Sequence, residues 1–261
     1  MAPLLAWIVV FCALGGALSV LAAGAFLLLP ERLRTRLLPS FVSFAVGALL
    51  GASFLGLLPE ALEARGVDGA TEIGVTVLLG IVGFFLLEKM MLWRHSHACD
   101  YEAHVRDLER ARRMSAGSLI LVGDGIHNMV DGVLIAAAFL ADVRLGIVTS
   151  VAVIAHEIPQ EVGDFAVLLH SGYSPGRALT YNVLASLTTI IGGMAAYFSL
   201  SLAQSIVPYV LAIAASSFIY IAVADLIPGL HRRPELSATV QQLALMTIGA
   251  GATSAADFAL H

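Results

Sequence analysis

The chain has 261 residues, of which 59% are hydrophobic and 13% are charged, and its formal net charge is −5. So little polar surface cannot cover a water-soluble globule of this size, which places the chain in a lipid bilayer. The 14 basic residues are scattered among apolar runs and form no stripe for a nucleic-acid backbone, so we expect no nucleic-acid partner.

Eight apolar stretches are long enough to cross a bilayer core about 30 Å thick, which needs about 20 helical residues. The first could be read as a secretory signal, but it has no basic start and is longer than a signal's apolar core, so we read it as a span. We therefore predict an all-α integral membrane protein, with one transmembrane domain over residues 1–261. The predicted spans are 4–29, 40–62, 73–93, 116–140, 145–171, 178–200, 206–229 and 239–260.

The basic residues are divided unequally between the two sides of this predicted bundle. The odd-numbered connections and the helix ends beside them hold 12 of the Lys and Arg residues, and the opposite side holds 2. The longest connection, 94–115, is on the basic side. Basic loops stay in the cytoplasm, so both termini are predicted to be extracytoplasmic. We expect a multi-pass protein of a bacterial inner membrane or a plasma membrane.

The ends of the second and seventh spans share a weak similarity. The second ends in Leu-Leu-Pro-Glu at 57–60, and the seventh ends in Asp-Leu-Ile-Pro-Gly at 225–229. The two spans cross in opposite directions, as they would in an inverted repeat of spans one to three in spans six to eight around the central spans four and five. Chance similarity between two Leu-rich segments explains the pattern equally well.

Ionisable residues are concentrated in the fourth and fifth spans. In the fourth, Asp124, His127 and Asp131 lie on one helical face, with Asn128 at its edge. Ionisable side chains at bilayer depth are costly, so a cluster of them persists only where something in the protein compensates.

The fifth span carries the matching polar groups. His156 and Gln160 are one turn apart, and Glu157, Glu161 and Asp164 form an adjacent row. If the two polar faces meet, imidazole, carboxylate and carboxamide groups converge. That donor set suits zinc and also admits iron, manganese, cadmium or cobalt. A purely structural network would not need two imidazoles and two carboxylates.

Other polar residues allow two interpretations. Pro159 removes a backbone hydrogen bond and leaves the carbonyl of Ala155 without its helical donor, as happens where transporters expose backbone to an ion. Asp225, near the end of the seventh span, is either a solvated carboxylate or a gate residue. The connection 94–115 carries four residues that either capture metal in the cytosol or are simply solvated. They are His95, His97, Cys99 and His104.

At its two polar segments the chain resembles the ZIP (Zrt/Irt-like) family of metal transporters. The segment His127-Asn128-x-x-Asp131-Gly132 is similar to the helix-four signature of that family, and the segment from His156 to Phe165 is similar to the helix-five signature of its LIV-1 branch. The resemblance extends over the whole chain. It implies that zinc or another divalent metal is the transported substrate, that uptake is toward the cytoplasm, and that no organic cofactor is needed. Family members are often homodimers.

The resemblance also implies a binuclear site between the fourth and fifth spans. One metal position is matched by His127, Asp131, His156 and Gln160, and the other by Asn128 and Glu157 with Asp131 and Gln160 as bridges. The LIV-1 pattern has histidine where this chain has Gln160, so we expect a weaker preference for zinc and easier release. Four further residues are candidate gate, entry or supporting groups. They are Asp124, Glu161, Asp164 and Asp225.

Two other function classes are compatible with the same residues. An intramembrane zinc protease is suggested by His156-Glu157, which begins like a His-Glu-x-x-His helix, but Gln160 replaces the second histidine. We therefore expect no enzyme. A proton-coupled exchanger could use the carboxylates as a proton relay without a dedicated metal site. Loss of metal-dependent stabilisation in His127→Ala and His156→Ala would count against the exchanger.

Overall fold

A computed structural model describes residues 2–97, 105–232 and 235–259, and these residues contain helices but no strands. The α-helices in chain order are α1 Ala2–Ala13, α2 Ser19–Leu27, α3 Glu31–Gly51, α4 Leu58–His97, α5 Val105–Ala141, α6 Val143–His170, α7 Pro175–Leu200, α8 Val207–Tyr220, α9 Ile227–Leu230 and α10 Leu236–Ala259. Three π-turns and one 3₁₀ turn join some of them. They are the first π-turn Leu14–Leu18, the second π-turn Ala52–Leu57, the third π-turn Ile221–Leu226 and the 3₁₀ turn Gln204–Ile206.

Five helical runs within the described residues are long and apolar enough to cross a membrane. They are Pro3–Leu27, Glu31–Met90, Leu121–Ala141, Pro175–Leu200 and Gln204–Leu230. The run of 60 residues contains the predicted span 40–62 and most of the predicted span 73–93, and Gly66 interrupts its helical backbone between them with φ 67° and ψ −175°. The helix α6 falls outside the five because its polar residues lower its hydropathy. The chain is an all-helical membrane protein, and the count of eight spans stays a prediction.

The predicted connection 94–115 is more helical than expected. The helix α4 continues to His97, and α5 begins at Val105. The sequence analysis placed the start of the fourth span at 116 because the charged segment before it ends the apolar run. Hydropathy marks where lipid contact ends, and a helix with charged side chains can continue beyond that point into water.

The helices α5 and α7 are joined along a seam of small residues. A Cβ atom added at Gly132 would collide with the backbone carbonyl of Thr189, and one added at Gly192 would collide with the carbonyl of Met129. Helices in lipid associate by this kind of close backbone approach. Lipid tails are as apolar as the side chains, so no hydrophobic effect drives the helices together. The seam fixes α5 against α7 and thereby positions the polar face of α5.

The helices α3 and α10 form a second seam of the same kind, which we call the α3–α10 seam. A Cβ atom at Gly47 would overlap the backbone of Met246, and a Cβ atom at Gly249 would overlap the carbonyl of Phe44. The helix pairs α5–α7 and α3–α10 are thus both held together by close contact of their backbones.

The second and third π-turns occupy matching positions. Each has six residues and ends two residues before a proline, Pro59 in one case and Pro228 in the other. The second π-turn contacts α8, and the third contacts α3, so the contacts are reciprocal. In the second, the hydroxyl of Ser53 donates to the carbonyl of Ala215 on α8 at 3.3 Å. An extra residue of this type often marks a functional position in a helix.

Candidate metal centre

The helices α5 and α6 form an antiparallel hairpin with a single residue, Asp142, between them. Asp142 caps the start of α6, because its carboxylate accepts hydrogen bonds from the backbone N–H groups of Arg144 at 2.8 Å and Leu145 at 3.3 Å. A turn this short makes the two helices neighbours, so residues at similar distances from Asp142 along each helix face each other. Asp131 on α5 and His156 on α6 meet in this way.

Four ionisable side chains come together at this level of the hairpin, and we call them the metal cluster. They are His127, Asp131, His156 and Glu157, and one donor atom from each lies within 4.8 Å of all the others. The Nε2 atom of His127 lies 3.3 Å from Nε2 of His156 and 3.4 Å from Oε1 of Glu157. Oδ2 of Asp131 lies 3.2 Å from His156 Nε2 and 3.8 Å from His127 Nε2. His156 Nε2 and Glu157 Oε1 are 3.7 Å apart.

These distances are those of a tetrahedral ligand set. Zinc bonds of about 2.0–2.2 Å to nitrogen and oxygen place the corners of a tetrahedron about 3.3–3.6 Å apart. Five of the six edges in the metal cluster measure 3.2–3.8 Å. The four donor atoms therefore surround a space of the right size for one transition-metal ion.

The His156 ring is oriented so that Nε2 is free to bind. Its Nδ1 atom lies 3.0 Å from the backbone carbonyl of Ala152 and donates its proton there. That hydrogen bond leaves the lone pair of Nε2 directed at the metal cluster, which is the usual arrangement of a metal-binding histidine. In the same tautomer His156 has no Nε2 proton to give to Asp131.

The metal cluster is largely buried, and its two carboxylates lie close to the two imidazoles without full hydrogen-bond geometry. The side chains of Asp131 and His156 are fully excluded from solvent and that of Glu157 is 1% exposed, whereas His127 is 23% exposed. All four carboxylate oxygens of Asp131 and Glu157 are without a hydrogen-bond partner. Two buried carboxylates in this state are expensive, and a bound dication offsets their charge. His127 marks the side from which an ion can reach the cluster.

Asn128 and Gln160, the other two predicted ligands, are placed differently. Asn128 is buried beside the metal cluster, where its amide donates to Oδ1 of Asp124 at 2.7 Å and its oxygen accepts from the hydroxyl of Thr189 at 2.8 Å. Gln160 is half-buried, one turn after His156 on α6. The structure thus groups Glu157 with the two histidines and Asp131, and the division into two metal positions stays a prediction.

The candidate gate and supporting residues are spread over two regions. Asp124 and Glu161 are buried, and Asp164 is half-buried, all on the α5–α6 hairpin beside the metal cluster. Asp225 lies in the third π-turn, and its side chain is exposed. The predicted loop ligands lie outside the residues whose side chains the structure describes. They are His95, His97, Cys99 and His104.

Three residues that the sequence analysis missed contribute to this region. Thr189 of α7 holds Asn128, Asn182 of α7 lies beside Glu161, and the ring of Phe218 on α8 packs against His156 with centroids 6.0 Å apart. A signal for Asn182 existed, because an asparagine within a membrane span is costly unless it is paired. Thr189 and Phe218 are ordinary residues of apolar helices and carry no such signal.

Comparison with known proteins places this geometry in context. The family model described as ZIP Zinc transporter matches residues 2–107 and 93–257. The zinc transporter ZIP13 of Pongo abelii is 32% identical over 260 residues, which cover 91% of this chain and 75% of its own. The zinc transporter ZIP4 of Mus musculus is 31% identical over 254 residues, which cover 74% of this chain and 38% of its own. The ZIP13 homolog of Drosophila melanogaster is 29% identical, covering 82% and 76%.

Proposed function

Because this chain belongs to the ZIP zinc transporter family, we propose that it carries zinc, and with lower preference other divalent transition metals, across the membrane through the metal cluster. The observation that supports this most directly is the near-tetrahedral spacing of four donor atoms, three of them on buried side chains, in a cluster whose carboxylate oxygens accept no hydrogen bond. The relatives are named zinc transporters, which favours a transporter over a protease. The donor set of two imidazoles and two carboxylates also accepts iron, manganese and cadmium.

The proposed topology has eight spans with both termini outside the cytoplasm, and uptake is directed inward. The basic residues on the odd-numbered connections support this orientation. The matching positions and reciprocal contacts of the second and third π-turns support an inverted repeat of spans one to three and six to eight. In that orientation His127 and His156 lie within the central hairpin of α5 and α6, away from the ends of both helices.

The finer proposal is that the site is binuclear. Asn128 and Gln160 would supply carboxamide oxygens to a second ion that shares Asp131 with the first. Asn128 is already next to the metal cluster. To turn its amide oxygen toward a second ion, Asn128 would have to break its hydrogen bond with Asp124 or with Thr189. An oxygen from Gln160 binds zinc less strongly than an imidazole nitrogen does, so the second ion is expected to be the more weakly held.

Transport follows from the charge balance of the metal cluster. An incoming hydrated dication exchanges water for the Nε2 atoms of His127 and His156, and the carboxylates of Asp131 and Glu157 neutralise its charge. The hydrogen bond from His156 to Ala152 keeps the ring in its binding orientation and so reduces the entropy lost on binding. After the ion leaves, the carboxylates are again uncompensated, which favours the next binding event.

The test is zinc uptake into proteoliposomes that contain the purified protein. Removing a residue that binds the metal directly costs at least as much as removing a residue that only orients a ligand. The latter typically costs about 10–100-fold in metal affinity. His156→Ala is therefore expected to lower uptake at limiting zinc by at least about 10-fold. The control is His231→Ala, since His231 is an exposed histidine outside the metal cluster. Uptake by His156→Ala equal to that of His231→Ala would contradict the proposal.

Competition separates zinc from the other substrates. Cadmium, iron and manganese are added to the same vesicles in excess over labelled zinc. We expect cadmium to compete best, because it shares zinc's preference for nitrogen donors, and manganese to compete least. Zinc uptake that none of these metals reduces would indicate a site that accepts zinc alone, and would contradict the proposed transport of the other metals.

A further inference from the structure

A second group of polar atoms lies beside the metal cluster, displaced along the same hairpin. On α5, Asp124 precedes His127 by three residues, and on α6, Glu161 follows Glu157 by four. The two helices are antiparallel, so both displacements point toward the same end, and at 1.5 Å per residue they amount to about 4.5–6 Å. In the proposed orientation this end faces the cytoplasm.

The helix α7 supplies a third residue to this group. It runs parallel to α5, because Thr188 donates to the carbonyl of Gly125 at 2.6 Å and Thr189 donates to Asn128 at 2.8 Å. Asn182 precedes these threonines by about two turns and so lies on the same side of the metal cluster as Asp124 and Glu161. Its amide faces the Glu161 carboxyl and interacts with it, although the two side chains do not reach full hydrogen-bond geometry. We call Asp124, Glu161 and Asn182 the oxygen cluster.

The oxygen cluster is as buried as the metal cluster. Asp124 is 5% exposed, and Glu161 and Asn182 are fully excluded from solvent. Oδ2 of Asp124, both carboxylate oxygens of Glu161 and both amide atoms of Asn182 lack hydrogen-bond partners. Buried polar atoms are nearly always paired, and each unpaired one destabilises the fold. Five such atoms on three helices that pack against one another favour a partner that they share.

The chemistry of the group identifies that partner. Two carboxylates and a carboxamide oxygen are acceptors that a divalent cation satisfies together, and Asp124 is already oriented by the amide of Asn128 at 2.7 Å. We propose that the oxygen cluster is a further binding site for the transported metal, one step toward the cytoplasm from the metal cluster. The inference rests on the proposed function, since it takes metal transport through the hairpin as given.

The two clusters differ in ligand type, and the difference gives the ion a direction. The metal cluster offers two nitrogen donors and the oxygen cluster offers none. Zinc binds an oxygen-only site more weakly, so an ion that moves there is closer to release. Asp164, half-buried about one turn beyond Glu161, is placed where the ion would next meet water.

Metal counting on the purified full-length protein tests the inference. Wild type and variants are dialysed to equilibrium against cadmium, and bound metal per chain is measured by elemental analysis. Glu161→Gln and Asn182→Leu are each expected to bind one ion fewer than wild type, while the tightest site is retained. The matched control is Glu63→Gln, an exposed carboxylate on α4, which is expected to bind as many ions as wild type.

A third variant covers the case in which these changes disturb folding. Asn182→Asp adds a carboxylate to the oxygen cluster and is expected to raise its cadmium affinity by at least about 10-fold, with cadmium stabilising this variant against heat more than wild type. Wild-type stoichiometry in both Glu161→Gln and Asn182→Leu, or no gain in Asn182→Asp, overturns the inference. Loss of the tight site in His156→Ala shows separately whether the metal cluster binds, so the two failures are distinguishable.

Discussion

The metal cluster and the α3–α10 seam both lie where two helices meet, but the residues at the two contacts differ in size and charge. In the seam, glycines let the backbones of α3 and α10 touch, as at Gly47 and Met246, with no ionisable side chain at that contact. Between α5 and α6, four ionisable side chains meet, with five of their six separations at 3.2–3.8 Å and with carboxylate oxygens that accept no hydrogen bond. The seam stabilises the fold without any ligand, whereas the metal cluster costs stability until an ion binds.

The helix α5 takes part in both kinds of contact. One side packs on α7 through Gly132 and Gly192, and the other carries His127 and Asp131 toward α6. Small residues therefore hold rigid the helix that carries the costly side chains. We therefore expect that substitutions can change metal transport without changing stability, and stability without changing metal binding. Four experiments test this separation.

The largest effect is expected from Asp131→Asn. The carboxamide keeps the shape of Asp131 but loses the charge that offsets the ion. Zinc uptake should therefore fall by at least about 100-fold, which is the largest loss typical of changes to residues that only orient a metal ligand. The metal-free protein should unfold at the same temperature as wild type or higher, because a buried carboxylate that accepts no hydrogen bond has been removed.

Vesicle uptake and thermal unfolding with and without zinc measure both parts. Asp68→Asn, an exposed aspartate on α4, is the control for loss of one charge. A large drop in the unfolding temperature of metal-free Asp131→Asn would break the comparison, since it would mean that the metal cluster also holds the fold together.

The second effect is expected in the seam. Gly47→Ala places a Cβ against the backbone of Met246, and overpacking of this kind typically costs about 1–3 kcal/mol of unfolding free energy. Gly83→Ala is the matched control, because the space around Gly83 on α4 is open and alanine favours a helix. We expect Gly47→Ala to lower thermal stability while the folded fraction binds cadmium as wild type does.

Equal stability of Gly47→Ala and Gly83→Ala would show that α3 and α10 can separate without cost. A changed cadmium affinity in folded Gly47→Ala would show that the seam and the metal cluster are coupled through α6, which contacts both α3 and α10.

Sequence predicted the metal cluster better than the seams. Helix geometry alone places His127 and Asp131 on one face of their helix, and it places His156 and Glu157 in adjacent rows of the next helix. The cost of these residues in lipid predicts that the two polar faces meet. The pairing of α3 with α10 has no comparable signal, because glycines within an apolar run fit lipid contact and helix contact equally well.

Two local features were also beyond the reach of sequence. Hydropathy averages over many residues, so it does not detect the single extra residue that makes a π-turn before Pro59 or Pro228. Asn182 stands out in the sequence as a costly residue within a span, but the sequence does not give its neighbours Asp124 and Glu161, which belong to two other helices. Only the arrangement of three helices brings these residues together.

The third effect concerns selectivity. Gln160→His restores the imidazole of the LIV-1 pattern one turn after His156, and an added nitrogen donor favours zinc over manganese by about 10-fold or more. The measurement is competition by manganese for zinc uptake, with Gln204→His, an exposed position in the 3₁₀ turn, as control. Unchanged competition would place Gln160 outside the ion's path and confine binding to the four residues of the metal cluster.

The smallest effect is expected from an exposed group of polar side chains that, like the metal cluster, joins two helices through a carboxylate. Arg65 and Glu72 of α4 form an ion pair at 2.7 Å, and the hydroxyl of Tyr209 on α8 donates to the same carboxylate at 2.6 Å. Water screens such contacts, so Glu72→Gln should leave uptake within about twofold and the unfolding temperature within about 3 °C of wild type. Vesicle uptake and thermal unfolding check this, with Glu63→Gln as control. A strong loss of uptake in Glu72→Gln alone would mean that the contact between α4 and α8 controls access to the metal cluster, and burial would then no longer separate functional from incidental charges in this protein.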